Sequence, residues 1–141
     1  MKLLVGLGNT GSKFLLNRHN IGFIIIDTIL KNYSFSNFKK KNKSCITTGL
    51  VCGYNIILLK PNTYMNNSGE SVLEIKKYYN IDNRDIFVFH DEIDLPFSLI
   101  KIKNGGGNNG HNGLKSIDSL IGKNYNRIRY GVGRPFIKEN Q

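Results

Sequence analysis

The sequence predicts a single α/β domain with a mixed β-sheet between helices, on three observations. Short apolar runs that end in glycine or polar residues alternate with longer stretches of helical periodicity. One pair of runs is separated only by Cys52-Gly53, which marks a hairpin and therefore antiparallel pairing within an otherwise crossover-connected sheet. The chain has 141 residues, 40% of them hydrophobic, which suits one core. With neither an internal repeat nor a linker, residues 1–141 read as one domain, an α/β/α sandwich.

Each element follows from its local pattern. Residues 2–7 form a short apolar run closing on Gly6 and Gly8, as a buried strand does. Asn20 can cap a helix over 21–31, with Ile21, Ile24, Ile25 and Ile29 on its buried side. Residues 44–51 and 54–60 are the two arms of the hairpin. A second helix is expected over 67–79 with Val72, Ile75 and Tyr79 inward. Residues 85–90 are an apolar strand and 98–103 another. Residues 112–121 form a third helix that Asn112 could cap, and 126–132 a last strand.

Composition excludes some classes and favours others. No uncharged apolar run approaches the ~18 residues of a membrane span, and the first residues turn polar too soon for a signal peptide. Cys45 and Cys52 lack histidines at zinc-finger spacing and read as reduced thiols, so a cytoplasmic protein is expected. The formal net charge of +10 points to a polyanionic partner, most simply nucleic acid. The densest basic run, Phe38 to Lys43, is expected in a solvated loop. Lys101, Lys103, Arg127 and Arg129 carry more information, because they alternate along strands and can line one face.

Gly6-Leu7-Gly8-Asn9-Thr10-Gly11 fits the spacing of a dinucleotide fingerprint. The fit stops there: Ser12 to His19 separate it from the helix, and the nearest acid, Asp27, falls inside that helix. A glycine turn exposing Asn9 at a strand end is the better account, since open α/β sheets bind ligands at the carboxyl ends of their strands. Three further strand ends carry polar residues where plain turns would serve: Pro61 to Gly69, His90 to Pro96, and Gly105 to Gly113. No H-E-x-x-H or comparable spacing relates His19, His90, Asp91, Asp94 and His111, and in an extended segment His90 and Asp91 point to opposite faces, so no metal centre is expected.

Gly6-Leu7-Gly8-Asn9, Arg18-His19-Asn20, Thr63 to Gly69, His90 to Pro96, Gly110 to Lys115 and Arg127 to Pro135, in that order, resemble the bacterial peptidyl-tRNA hydrolase family over nearly the whole chain. The resemblance implies an enzyme that cleaves the ester between a peptide and the terminal ribose of tRNA, with neither metal nor organic cofactor. It implies His19 as the base that activates water, a task suited to an imidazole, and Asp91 as the carboxylate that orients the ring. Asn9, Asn66 and Asn112 match the substrate-holding amides, with Asn66 the first choice for stabilising an oxyanion, and Tyr64 and Met65 would line the peptide channel, with core packing the alternative for both. Lys103 and Arg129, with Lys101 beside them, match a clamp on the terminal phosphate of tRNA, and His111 matches a contact to the acceptor end. Such backbone contacts discriminate little by sequence and weaken as salt rises.

This chain departs from the family pattern in places. Thr10 replaces a usual proline. Phe14, at a position grouped with the tRNA contacts, replaces a common tyrosine and loses its hydroxyl. Asn108 and Asn109 interrupt a stretch usually richer in glycine, which asparagine tolerates through its ease in left-handed backbone. Family members continue past the residues matched here, so the closing helices are expected to be absent, with exposed apolar surface, self-association of an otherwise monomeric protein and impaired activity as consequences. Two other readings compete: a non-catalytic RNA-binding relative, disfavoured because pure binding does not need His19, Asp91 and Asn66 together, and a nucleotide-dependent oxidoreductase.

Overall fold

A computed structural model describes residues 1–8 and 20–133; Asn9, Phe14 and His19 lie outside the described residues. In chain order the elements are β1 (Lys2–Gly6), α1 (Ile21–Asn32), β2 (Ser34–Phe35), β3 (Lys39–Lys41), β4 (Ser44–Val51), β5 (Tyr54–Pro61), a 3-10 turn (Met65–Asn67), α2 (Ser68–Tyr79), a second such turn (Asn83–Asp85), β6 (Ile86–Glu92), β7 (Ile100–Asn104), α3 (Asn112–Ile121) and β8 (Asn126–Gly131).

The strands form one mixed sheet in the order β2-β4-β5-β1-β6-β8-β7, with β3 also on β4. Its centre, β5-β1-β6-β8, is parallel, and antiparallel pairs flank it. Alternation along the central strands sorts the core onto two faces. Leu3, Val5, Ile57, Leu59, Ile86 and Val88 pack with Val72 and Ile75 of α2 and Leu114 and Ile117 of α3. Ile56 and Leu58 face Ile26 of α1. The α/β/α arrangement is as expected, and the hairpin turns at Cys52-Gly53, where both residues have positive φ (50° and 83°), as a two-residue type I′ turn requires. No helix among the described residues is long and apolar enough to cross a membrane.

Three expectations are corrected. The buried line of α1 is Gly22 and Ile26; Ile29 packs against the same core as expected, while Ile24 is 40% exposed. The helix is rotated because Gly22 lies against the ends of two strands: a Cβ there would come within 2.5 Å of the Leu7 amide and of the Phe89 carbonyl. Lys39–Lys41 is an edge strand rather than a loop, because β4 offers it a partner at Ser44–Ile46 and Lys41 Nζ sits 3.1 Å from the centre of the Tyr78 ring. Asn112 is the first residue of α3, and His111 is the cap.

Candidate functional site

The carboxyl ends of the parallel strands converge. A Cβ on Gly113, at the start of α3, would lie 2.8 Å from Met65 Sδ, 2.9 Å from Leu7 Cδ1 and 3.0 Å from His111 Cε1. The turn holding Asn66, the end of β1 and the start of α3 therefore touch, and Asn66 and Asn112 stand exposed on either side of that contact. Tyr64 is 76% exposed beside them, which rules out the core packing its aromatic ring allowed, whereas half-buried Met65 packs on the core. Asn20, the chain neighbour of His19, is 1% exposed, and a Cβ on Gly8 would lie 2.9 Å from its Oδ1.

Asp91 lies near the end of β6, 4% exposed. Two imidazoles grip it. His90 donates from Nδ1 to the Asp91 carbonyl at 2.7 Å, and His111 donates from Nε2 to Asp91 Oδ1 at 2.8 Å. The two rings meet edge-on, 5.2 Å between centroids. His111 Nδ1 accepts the amides of Gly113 (3.1 Å) and Leu114 (3.3 Å). Both nitrogens of His111, the residue expected to meet the tRNA acceptor end, are engaged within the fold, and its side chain is 10% exposed.

Burial, helped by the neighbouring His111 ring, lowers the His90 pKa to about 4. The unfolded ring takes up a proton below about 6.5, whereas the folded ring stays neutral down to about 4. Stability is thus fully present at neutral pH and is expected to fall as pH drops through that window, by a few kcal/mol in all. Thermal melting from pH 7 to pH 4 measures this. In His90→Asn, whose amide can reach the same carbonyl, the slope should flatten; equal slopes would count against the assignment.

The basic residues divide. Antiparallel β7 and β8 pair Lys101 with Arg129 and Lys103 with Arg127, so the four share one face. Lys103 and Arg129 line an open cleft of about 410 Å³ with His90, Glu92, Asn109 and Leu114. Lys101 is exposed on the same edge strand. Arg129 donates through Nε and Nη2 to Glu92 Oε1 at 3.4 Å each and remains 25% exposed.

Arg127 is different: it is 1% exposed, bound to Asp118 at 2.9 Å and donating to the Gly106 and Gly107 carbonyls at 3.0 and 2.6 Å. Its expected place among polyanion-facing cations is corrected, because its charge is consumed inside the fold.

Glu92 and Asn109 carry no weight in the sequence reading but help shape the site. Asn109, left-handed at φ 51°, donates to Glu92 Oε2 at 2.8 Å and also to Asp94 Oδ2. The glycine-rich loop is thereby tied to the strand end. The signal lay in an asparagine that interrupts a glycine-rich stretch, credited from the sequence only with tolerating the backbone. Among the described residues no three His, Cys, Asp or Glu side chains converge as a metal site would require.

Comparison with known proteins finds similar sequences and a similar fold over nearly the whole chain. Residues 3–141 match the sequence profile of a family described as Peptidyl-tRNA hydrolase. A peptidyl-tRNA hydrolase of Ehrlichia ruminantium (strain Gardel) is 54% identical over 135 residues, spanning 96% of this chain and 70% of the relative. One from Rickettsia felis is 57% identical over 136 residues, spanning 96% and 74%. The crystal structure of peptidyl-tRNA hydrolase from Acinetobacter baumannii superposes with a TM-score of 0.92 at 40% identity, covering 99% of this chain and 71% of that one.

Proposed function

The chain belongs to the peptidyl-tRNA hydrolase family, and from that premise we propose that it cleaves the peptide–tRNA ester by a metal-free attack of water, with His19 as base and Asp91 as its orienting partner. The observation that carries this reading is the nearly buried Asp91 carboxylate at the strand ends where Asn66 and Asn112 also stand. The first residues of α1 support it too. Gly22 is packed against the Phe89 carbonyl, two residues before Asp91, and Asn20 is buried beside Gly8, which brings the chain adjoining His19 close to the end of β6.

In the proposed reaction His19 takes a proton from water as the oxygen attacks the ester carbonyl. Asp91 stabilises the imidazolium that forms. The Asn66 amide donates to the developing oxyanion, and Asn9 and Asn112 hold peptide and water; an amide can do this without adding charge. The imidazolium then returns its proton to the leaving ribose oxygen. Exposed Tyr64 flanks the peptide path. Lys103 and Arg129, with Lys101 at the rim, hold the terminal phosphate of tRNA, and Phe14 belongs to the same tRNA-facing set. Residues 1–141 act as one domain, a monomer working in the cytoplasm.

The test is release of peptide from peptidyl-tRNA by the purified protein in the presence of EDTA. Cleavage is expected to persist with chelator and to vanish in His19→Ala, whose melting temperature should stay within a few degrees of the parent. Full activity in that variant removes His19 from the mechanism, and loss of activity with chelator alone removes the metal-free step. Tight RNA binding without ester cleavage would favour a binding protein instead.

A further inference from the structure

The contacts of His111 form a chain: helix amides to Nδ1, the ring, then Nε2–H to Asp91. Nδ1 accepts two amide hydrogens at the first turn of α3, so it carries a lone pair rather than a proton. A proton there would be directed at those hydrogens, at the positive end of the helix. The proton of the neutral ring must therefore sit on Nε2, which is 2.8 Å from Asp91 Oδ1. A neighbour that fixes one imidazole nitrogen fixes what the other can do.

Burial makes this contact selective. The His111 and Asp91 side chains are 10% and 3% exposed, leaving little room for water to replace the donor. The His90 ring lies edge-on to His111 while donating to the Asp91 main chain. Backbone and carboxylate of Asp91 are thus each held by an imidazole, and both contacts keep one orientation of the carboxylate.

We propose that His111 is a positioning residue for ester cleavage: locked as the Nε2–H tautomer by the first amides of α3, it orients the Asp91 carboxylate toward its catalytic partner. The proposal rests on the assignment of Asp91 to the reaction. It gives His111 a role inside the site that no contact with tRNA requires, and it couples the start of α3, which also carries Asn112, to the strand end that carries Asp91.

Two substitutions separate orienting from capping. In His111→Asn the shorter amide still caps the helix, because asparagine is among the best N-cap residues, but its NH₂ falls short of Asp91. In His111→Gln the NH₂ reaches toward Asp91 while the cap is lost. Melting temperature and steady-state cleavage of peptidyl-tRNA are measured for both. His111→Asn is expected to melt within a few degrees of the parent yet lose about tenfold or more in kcat with KM little changed, as loss of an orienting partner does. His111→Gln should melt lower and keep more of kcat than the asparagine variant.

If kcat instead follows melting temperature, with the glutamine variant the worse of the two, His111 is only a cap and the proposal is overturned. Nitrogen NMR of the His111 ring at pH 8 should give the Nε2–H tautomer; the opposite tautomer overturns it independently. Asp91→Asn run beside these variants distinguishes the failures. If it cleaves normally, the role of Asp91 itself falls. If it is inactive while His111→Asn is fully active, only the positioning role falls.

Discussion

Asp91→Asn is expected to lower kcat by on the order of 10³-fold while leaving the fold intact, because the substitution keeps the shape and removes the charge. The carboxylate has two tasks in the proposed mechanism. It holds the base ring in the tautomer that can accept a proton from water, and it stabilises the imidazolium once that proton arrives. An amide of the same shape performs neither well. Its NH₂ would direct hydrogens at a ring that must donate to it, or the amide must turn and direct them at His111 Nε2–H, 2.8 Å from the present Oδ1. Single-turnover cleavage separates the chemical step from tRNA binding. The loss should appear there in full, with KM nearly unchanged because the proposed tRNA clamp, Lys103 and Arg129, lines a cleft that does not include Asp91. A variant that keeps most of its single-turnover rate would take Asp91 out of the chemistry, and His19 could then act without an acidic partner.

The polar segment His90 to Pro96 was legible in the sequence because the end of an apolar strand in an α/β protein is where a sheet presents polar groups to a ligand; the choice of Asp91 within it came from the family resemblance. The central elements were legible for the same kind of reason: period-two and 3.6-residue patterns survive wherever one face is buried. Where the pattern was weak, the partner decided. Lys39–Lys41 has no apolar alternation at all and becomes a strand only because the edge of β4 is open to it. Gly22 set the phase of α1 against the apparent isoleucine face, since only a residue without Cβ lets the helix reach β1 and β6 this closely.

At the site, the sequence could say which residues stood at strand ends but not which way their hydrogen bonds ran. His111 precedes a helix, and the cap geometry that turns it from the surface toward Asp91 depends on a contact twenty positions away. Asn109 is similar. Its left-handed backbone was readable as a property of asparagine, but its bonds to Glu92 and Asp94 come from the loop folding back over β6. Long-range polar contacts of this type leave no period in the chain.

Arg127 is the strongest case, and it yields the largest expected effect on stability. Asp118→Ala should destabilise the protein by about 3–5 kcal/mol, since it leaves a guanidinium in the interior with its countercharge removed. The pair is 2% and 7% exposed, and Asp118 Oδ1 also accepts the hydroxyl of buried Tyr125 at 2.7 Å. Burial pushes the pKa of that hydroxyl strongly upward, so it remains a donor and would lose its acceptor as well. A loss of this size corresponds to a fall of roughly 10–20 °C in melting temperature for a domain of this length. The double variant Arg127→Met with Asp118→Leu should lose much less than the two single changes combined, because removing both charges leaves neither one stranded.

The ion pair also fixes the loop that carries Asn109 and His111, through the Gly106 and Gly107 carbonyls. Loosening that loop should lower cleavage even at temperatures where the Asp118→Ala protein remains folded. Denaturant unfolding of the four proteins in the cycle measures the stability, and cleavage at 15 °C measures the loop. A Asp118→Ala variant within 1 kcal/mol of the parent would mean that Arg127 reaches water and that its burial is not the constraint on β8 and α3.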